Sequence, residues 1–143
     1  MRYWSYTPGV DAENWEEDLR DGVMRVDLSL GCDLNGLTRE EIKERLNSEG
    51  FNYKTVGGAP TELYKFANEM EPGDIVYATK GMRNLLGRGE VTSGYRFDED
   101  RESYRHRRDV KWTDYVHLSS PIDIGSQVQQ IRGTLINISS TLE

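Results

Sequence analysis

The spacing of apolar positions changes period along the chain, from helical in the first half to alternating in the second. The chain opens on an aromatic stretch, Tyr3, Trp4 and Tyr6, that runs into Pro8-Gly9. This is the composition of a strand closed by a turn. From Asp11 to Arg20 the spacing predicts a helix, with acidic residues in its first turns and Trp15 and Leu19 four apart on one face. Asp21-Gly22 stops it. Val23 to Leu28 alternates, with Val23, Arg25 and Asp27 on one face and Met24, Val26 and Leu28 on the other. That pattern predicts a half-buried strand. Gly31 to Gly36 reads as a loop. Thr38 and Glu41 then form a capping box ahead of Ile42 and Leu46, and Gly50 ends that helix. Phe51 to Gly58 predicts an irregular connection, and Pro60-Thr61 opens a third helix whose apolar face is Leu63, Phe66, Ala67 and Met70.

After the turn Glu71-Pro72-Gly73-Asp74 the period becomes two. Ile75–Thr79 and Leu85–Thr92 predict strands joined by a loop from Lys80 to Asn84. A long polar segment, Ser93 to His106, precedes a further strand over Arg107–Thr113, and Tyr115–Leu118 extends that strand or starts another. Leu135, Ile136 and Ile138 predict a tail that folds back on the sheet, in part as a strand. The order of elements predicts an α+β fold, a small curled sheet or open barrel with helices packed around it. With 143 residues, the whole of 1–143 is expected to form one domain.

Composition narrows the class. No apolar run approaches the roughly 20 residues of a membrane span, and the polar start predicts no secretory signal. The single Cys32 leaves no internal disulfide and suits a reducing, cytoplasmic setting. The formal charge is -7, yet residues 80–111 carry nine basic and six acidic side chains. A local patch for phosphates and a self-balanced surface are both compatible with that count.

Catalytic signatures are absent. There is no phosphate-loop motif, Gly87-Arg88-Gly89 lacks a third glycine, and two histidines are too few for most histidine zinc sites. No enzyme activity, metal or cofactor is expected from the sequence. Asp27 or Glu90 acting as general acid–base on a small nucleotide is the enzymatic alternative. The aromatic content is the informative feature, at 3 Trp, 8 Tyr and 3 Phe. Trp15 and Trp112 are expected in the core. Tyr95 and Tyr104 lie in the polar, arginine-bearing segment, where flat rings beside cations suit a stacked base.

The ordered motifs resemble a known family. Tyr3-Trp4-Ser5-Tyr6-Thr7-Pro8-Gly9 is followed by Trp15-Glu16-Glu17 and Asp21-Gly22-Val23. Then come Phe66-Ala67-Asn68-Glu69-Met70 with Pro72-Gly73-Asp74-Ile75-Val76, Leu86-Gly87-Arg88-Gly89-Glu90-Val91-Thr92, and Val110-Lys111-Trp112. From about Tyr3 to Leu135 this set resembles the EVE-like domain at the N-terminus of McrB-type restriction GTPases, within the PUA/EVE/YTH superfamily.

The resemblance implies a curled, barrel-like sheet and a reader of a modified base. Such a module flips a methylated adenine or cytosine out of double-stranded DNA, or binds one in RNA, inside an aromatic pocket. It also implies a GTPase motor and nuclease elsewhere, with this domain monomeric alone and carried by an oligomeric AAA+ GTPase in a longer protein. Position by position, Trp4, Ser5 and Tyr6 match the strand whose end borders the pocket. Met24 falls near the cage tryptophan of the YTH relatives. Leu28 stands where many McrB-type relatives carry tryptophan, which leaves the identity of the base open. Tyr95 and Tyr104 match a loop that supplies another wall. Asp27 is the candidate acceptor for an exocyclic amino group. Lys80, Arg83 and Asn84 at a loop tip, with Arg105, Arg107 and Lys111, are the expected phosphate or groove contacts. A module for a modified nucleotide in RNA and a protein-interaction domain are the alternatives.

Overall fold

The fold was examined in a computed structural model, which describes residues 2–27, 32–48, 63–81, 84–123 and 135–137. Its centre is a curled mixed sheet. The strands are β1 (Tyr3–Tyr6), β2 (Val23–Val26), β3 (Ile75–Lys80), β4 (Asn84–Val91), β5 (Arg96–Phe97), β6 (His106–Tyr115), β7 (Ile122–Asp123) and β8 (Leu135–Asn137). Their order is β2-β6-β4-β3-β1-β8, with β5 on β6 and β7 on β4. Only the β1–β3 pair is parallel among these ladders. The α+β class and the strand-rich second half agree with the hydrophobic pattern, and β8 supplies the strand expected in the tail.

The curl comes from β6. Its first four residues pair with β2, His106 facing Val26 and Asp109 facing Val23. Its second half pairs with β4, Val110 facing Val91 and Tyr115 facing Gly87. One strand thus changes partner along its length and bends the sheet round a core. A bulge between Arg88 and Gly89 adds local twist.

Two tryptophans pack together against the sheet, Trp15 in the core and Trp112, expected there too, only partly buried at its margin. Trp15, on α1 (Trp15–Asp21), is fully buried and meets Trp112 edge to face, with ring centroids 4.8 Å apart at 80°. Each indole N–H has a backbone partner. Trp15 donates to the Val116 carbonyl at 2.7 Å and Trp112 to the Val23 carbonyl at 3.2 Å. The rings lie so close to β4 that only glycine fits beneath them. A Cβ on Gly87 would sit 3.0 Å from the Trp15 ring, and one on Gly89 would sit 2.6 Å from Val110 Cγ1 and 2.8 Å from Trp112. Gly87 and Gly89 are therefore spacers between strand and indoles.

Asp74 fixes the start of the sheet. Buried at the foot of β3, it accepts hydrogen bonds from the Arg2 backbone N–H (2.9 Å), the Trp4 indole (3.0 Å) and the Glu71 backbone N–H (3.0 Å). The Glu71–Asp74 turn read from sequence is thus also the clamp that sets β1 beside β3. Arg108, buried on β6, ties in the helical turn over Lys65–Glu69. Its guanidinium donates to the carbonyls of Phe66 (2.8 Å), Ala67 (3.3 Å) and Ser93 (3.2 Å). The capping box on α2 (Arg39–Ser48) is present, with Thr38 Oγ1 accepting from Glu41 N–H at 3.1 Å.

Three expectations change. The helix expected over Asp11–Arg20 is two pieces, a 3-10 turn at Val10–Ala12 and α1 beginning at Trp15. Asp11 and Ala12 both have positive φ, which breaks the helix. β2 is buried on both faces, Arg25 included, because α1 covers the Arg25 side and the core covers the Met24 and Val26 side, with β6 paired along its edge. Lys80 and Asn84 face one another as the last pair of the β3–β4 ladder and are not loop residues. The helix start at Pro60-Thr61 and the Phe51–Gly58 connection lie outside the described residues.

Substituting alanine at Gly89 is expected to destabilise the fold by roughly 2 kcal/mol or more, since the new methyl overlaps β6 backbone and side chains. Chemical denaturation of the variant checks this. A midpoint equal to wild type would show that β4 moves away from the indoles without penalty.

Candidate functional site

The backbone itself points to one surface. Among the described residues three non-glycine residues have positive φ: Asp11 (53°), Ala12 (60°) and Tyr104 (52°). A non-glycine residue in this region costs roughly 1–2 kcal/mol, and such strain collects at working sites. All three lie together. The Tyr104 phenol accepts a hydrogen bond from the Val10 backbone N–H, and the Glu13 and Asp27 carboxylates are close enough to act on it electrostatically. Burial first, then these two carboxylates, raises the Tyr104 phenol above its ordinary value. The β1–α1 loop, the end of β2 and the segment between β5 and β6 therefore meet around one tyrosine. Val10 stands at the rim and is 68% exposed.

Beneath this surface lies a buried ionic cluster. Tyr6, at the end of β1, donates its phenolic hydrogen to Asp18 on α1 and accepts from the Arg25 backbone N–H on β2 at 3.0 Å. The Arg25 guanidinium, only 7% exposed, reaches Glu17 at 3.1 Å, Asp21 at 3.3 Å and Asp18 at 3.7 Å. Glu17 also takes Arg101, from the segment that carries Tyr104, at 2.9 Å. Four stretches of chain are knotted at one place. Burial dominates the Asp18 carboxyl and pushes it up to about 7, against the pull of the Tyr6 hydroxyl and Arg25. One Asp18 oxygen, Oδ1, and Arg25 Nε are buried without a hydrogen bond.

The described residues expected to form a base pocket fall in three places. Tyr104 and Asp27 share the strained surface and are half-buried. Trp4, Ser5, Tyr6 and Met24 are fully buried. Trp4 is engaged by Asp74 and Tyr6 by Asp18, so they form the floor and frame and not an open wall. Tyr95 lies elsewhere, accepting from Leu34 N–H at 3.0 Å and bonded to His106 Nδ1 at 2.8 Å, with its ring stacked on that imidazole. Leu28 and Arg83 lie outside the described residues.

The expected phosphate contacts divide as well. Arg107 is 3.7 Å from Asp98 and 3.9 Å from Asp109. Arg105 stacks 4.5 Å over the Phe97 ring and donates to the carbonyls of Asp98 and Glu99. These two cations are committed to their own segment. Lys80 and Lys111 carry no ion pair among the described residues, and Lys111 is exposed. Glu90 faces Lys111 across the β4–β6 ladder, towards the opposite end of β6 from Asp27. An open groove of about 620 Å³ lies on the outer face of the sheet, between Tyr77, Arg88, Tyr115 and Ile122. Among the described residues no group of three or more His, Cys, Asp or Glu side chains is arranged to hold a metal ion, and no helix is long and apolar enough to cross a membrane.

Sequence reasoning missed the ionic knot. Glu17 reads as one of the acidic residues in the first turns of a helix and Arg25 as one face of an alternating strand. One signal was available. Asp18 lies three residues from Trp15 and next to Leu19, on the stripe that α1 buries.

A carboxyl raised by burial makes the fold less stable as pH rises, because the unfolded chain loses its proton first. Stability is expected to fall by as much as about 4 kcal/mol between pH 4, near the ordinary aspartate value, and pH 7, the level to which Asp18 is raised. Glu16 and Asp21 are both lowered by hydrogen bonds, so their contribution is lost only below that window. Denaturant unfolding across pH, with Asp18→Asn as the control that removes the fall, checks this. An equally steep fall in the Asn variant assigns it to another group.

The chain has distant matches among solved structures and one matching family model. No curated protein matches the chain. Among solved structures, the YTH domain of MmI1 is similar at 12% identity over 92% of this chain and 74% of that one, with a TM-score of 0.47. A YTH domain of the Zygosaccharomyces rouxii protein MRB1, solved in complex with N6-methyladenosine RNA, is similar at 14% identity over 85% of this chain, with a TM-score of 0.41. The chain spans 61% of that domain's length. An NMR structure of the Rhodopseudomonas palustris protein Rpa0253 is similar at 16% identity over 89% of this chain and 70% of that one, with a TM-score of 0.39. A family model spans nearly the whole sequence, from residue 4 to residue 139, and the chain belongs to that family, described as a domain of unknown function, DUF8426.

Proposed function

We propose that this domain is a non-catalytic reader of a modified base in nucleic acid. The observation that carries the reading is the convergence of backbone strain, an aromatic ring and a carboxylate on one surface, where Tyr104 meets Val10 and lies near Asp27. A ring supplies a stacking face and a carboxylate accepts from an exocyclic amino group, the two contacts an extruded adenine or cytosine needs. The sequence resemblance to EVE-like domains of McrB-type restriction GTPases supports the same reading. On that reading the ligand is methylated double-stranded DNA. The module is monomeric alone and cytoplasmic, and it directs an AAA+ motor that lies outside this chain. Trp4, Ser5, Tyr6 and Met24 support the pocket from behind, and exposed cations such as Lys111 meet phosphates or the groove.

Binding to matched duplexes tests this: one plain, the others carrying N6-methyladenine, 5-methylcytosine or 5-hydroxymethylcytosine, with an N6-methyladenosine RNA strand alongside. A salt-sensitive preference for one modified duplex is expected. Preference for the RNA strand alone moves the function to RNA, and equal, negligible binding throughout overturns the reading.

Tyr104→Ala is expected to weaken binding to the preferred duplex about tenfold or more, by loss of one stacking partner. Its melting temperature should fall only slightly, since Tyr104 is half-buried and holds one backbone hydrogen bond. Unchanged affinity removes Tyr104 from the site. Lys111→Ala should reduce the salt slope by about one without changing the preference for the modified base. Loss of that preference would make Lys111 a base contact.

A further inference from the structure

The ionic knot beneath the strained surface has a geometry that fold maintenance alone does not require. A buried carboxylate, a buried guanidinium and a phenol are joined at one point, and the knot continues outward to the segment that bears Tyr104. Glu17 is the link. Its Oε1 holds Arg25 on the inner side at 3.1 Å and Arg101 on the outer side at 2.9 Å. Arg25 in turn precedes Asp27 by two residues along the same strand direction. Both proposed base contacts are thus tethered to Arg25, Asp27 through the backbone and Tyr104 through Glu17 and Arg101.

We propose that Asp18, acting through Arg25 and Glu17, is a positioning residue for the Tyr104–Asp27 surface, so that affinity there depends on whether its buried carboxyl carries a proton. The groups that face Asp18 are Tyr6 on β1, Glu17 and Asp21 on α1, Arg25 on β2 and Arg101 on the segment before β6. With Asp18 neutral, Arg25 and Arg101 face Glu17, and Arg25 and Arg20 face Asp21. Arg25 then bonds to those two carboxylates through its terminal nitrogens, and Glu17 clasps Arg101. Loss of the proton adds a buried negative charge 3.7 Å from the Arg25 guanidinium, at the oxygen that has no hydrogen bond. Coulomb attraction draws Arg25 towards Oδ1 and away from Glu17. The clasp on Arg101 loosens and the Tyr104 segment shifts. The Asp18 carboxyl is held near neutrality by burial, so the change falls within an accessible pH range.

This inference rests on the reading of the surface as a nucleic-acid site, and a measurement without ligand separates the two. The ring signals of Tyr104 are followed by NMR from pH 6 to 8.5 in the whole chain. Its own phenol is raised and stays protonated there. A transition near neutrality is expected in wild type and none in Asp18→Asn. Arg101→Gln, made on the solvent side of the knot, is expected to displace the same signals while the melting temperature holds. The modified duplexes above are then titrated at both pH values. Affinity at least threefold higher at pH 6 than at 8.5 is expected in wild type and no pH dependence in Asp18→Asn. Phosphodiesters do not titrate in this range. Tyr104 signals that ignore pH and ignore Arg101→Gln overturn the positioning role. Signals that respond while no duplex binds at either pH leave the linkage intact and overturn the nucleic-acid reading instead.

Discussion

The structure depends on two indoles occupying the space inside a bent sheet. Trp15 and Trp112 meet edge to face, and their bulk sets the distance between α1 and β4. A Cβ on Gly87 would press on the Trp15 ring at 3.0 Å, and one on Gly89 would overlap Val110 and Trp112 of β6, so the two glycines let β4 run close to both indoles. The bend of β6 follows from the same constraint, since β6 carries Trp112 and must pass from β2 to β4 around the rings. Both indole N–H groups are satisfied by backbone carbonyls, which keeps the burial of two large aromatics free of an unpaired donor.

The opposite end of β6 has a different character. There the chain stores strain and charge. Asp11, Ala12 and Tyr104 hold left-handed backbone conformations, and the Tyr6–Asp18–Arg25 knot fixes the elements that bear them. A buried ion cluster adds little net stability when desolvation is counted, but it fixes relative positions, and removing one partner leaves the other uncompensated. The apolar end of the molecule thus provides stability, and the polar end provides geometry. The proposed site, a flat ring held between a tyrosine and a carboxylate, would need the second.

The placement of cations shows how the net charge of -7 coexists with an arginine-rich segment. Arg101, Arg105 and Arg107 are held by Glu17, by the Phe97 ring and backbone carbonyls, and by Asp98 and Asp109. Arg108 is internal, spanning from β6 to the carbonyls of Phe66 and Ala67. The segment that reads as a basic patch is largely an internal truss. Free positive charge lies instead on isolated lysines such as Lys111, so any polyanion is held by few contacts and by specific recognition.

Much of the fold was legible in the sequence, because local rules decide it. Strand alternation marked β3, β4 and β6, Thr38 and Glu41 marked the start of α2, and Glu71–Asp74 marked a turn. The aromatic richness of Tyr3 to Tyr6 marked β1, and the glycine after Asp21 marked the end of α1. The site was legible only in part. Tyr104 and Asp27 were identified as types suited to a base, but Trp4, Tyr6 and Met24 share that chemistry and are buried. Nothing in single-residue chemistry distinguishes a ring that faces a ligand from one that faces a core. The break in the helix at Asp11 and Ala12, the pairing of each arginine and the raised Asp18 carboxyl were decided by tertiary contact. Each depends on which groups meet from segments far apart in the chain, and burial and Coulomb energies are set by that meeting, which the order of residues does not encode locally.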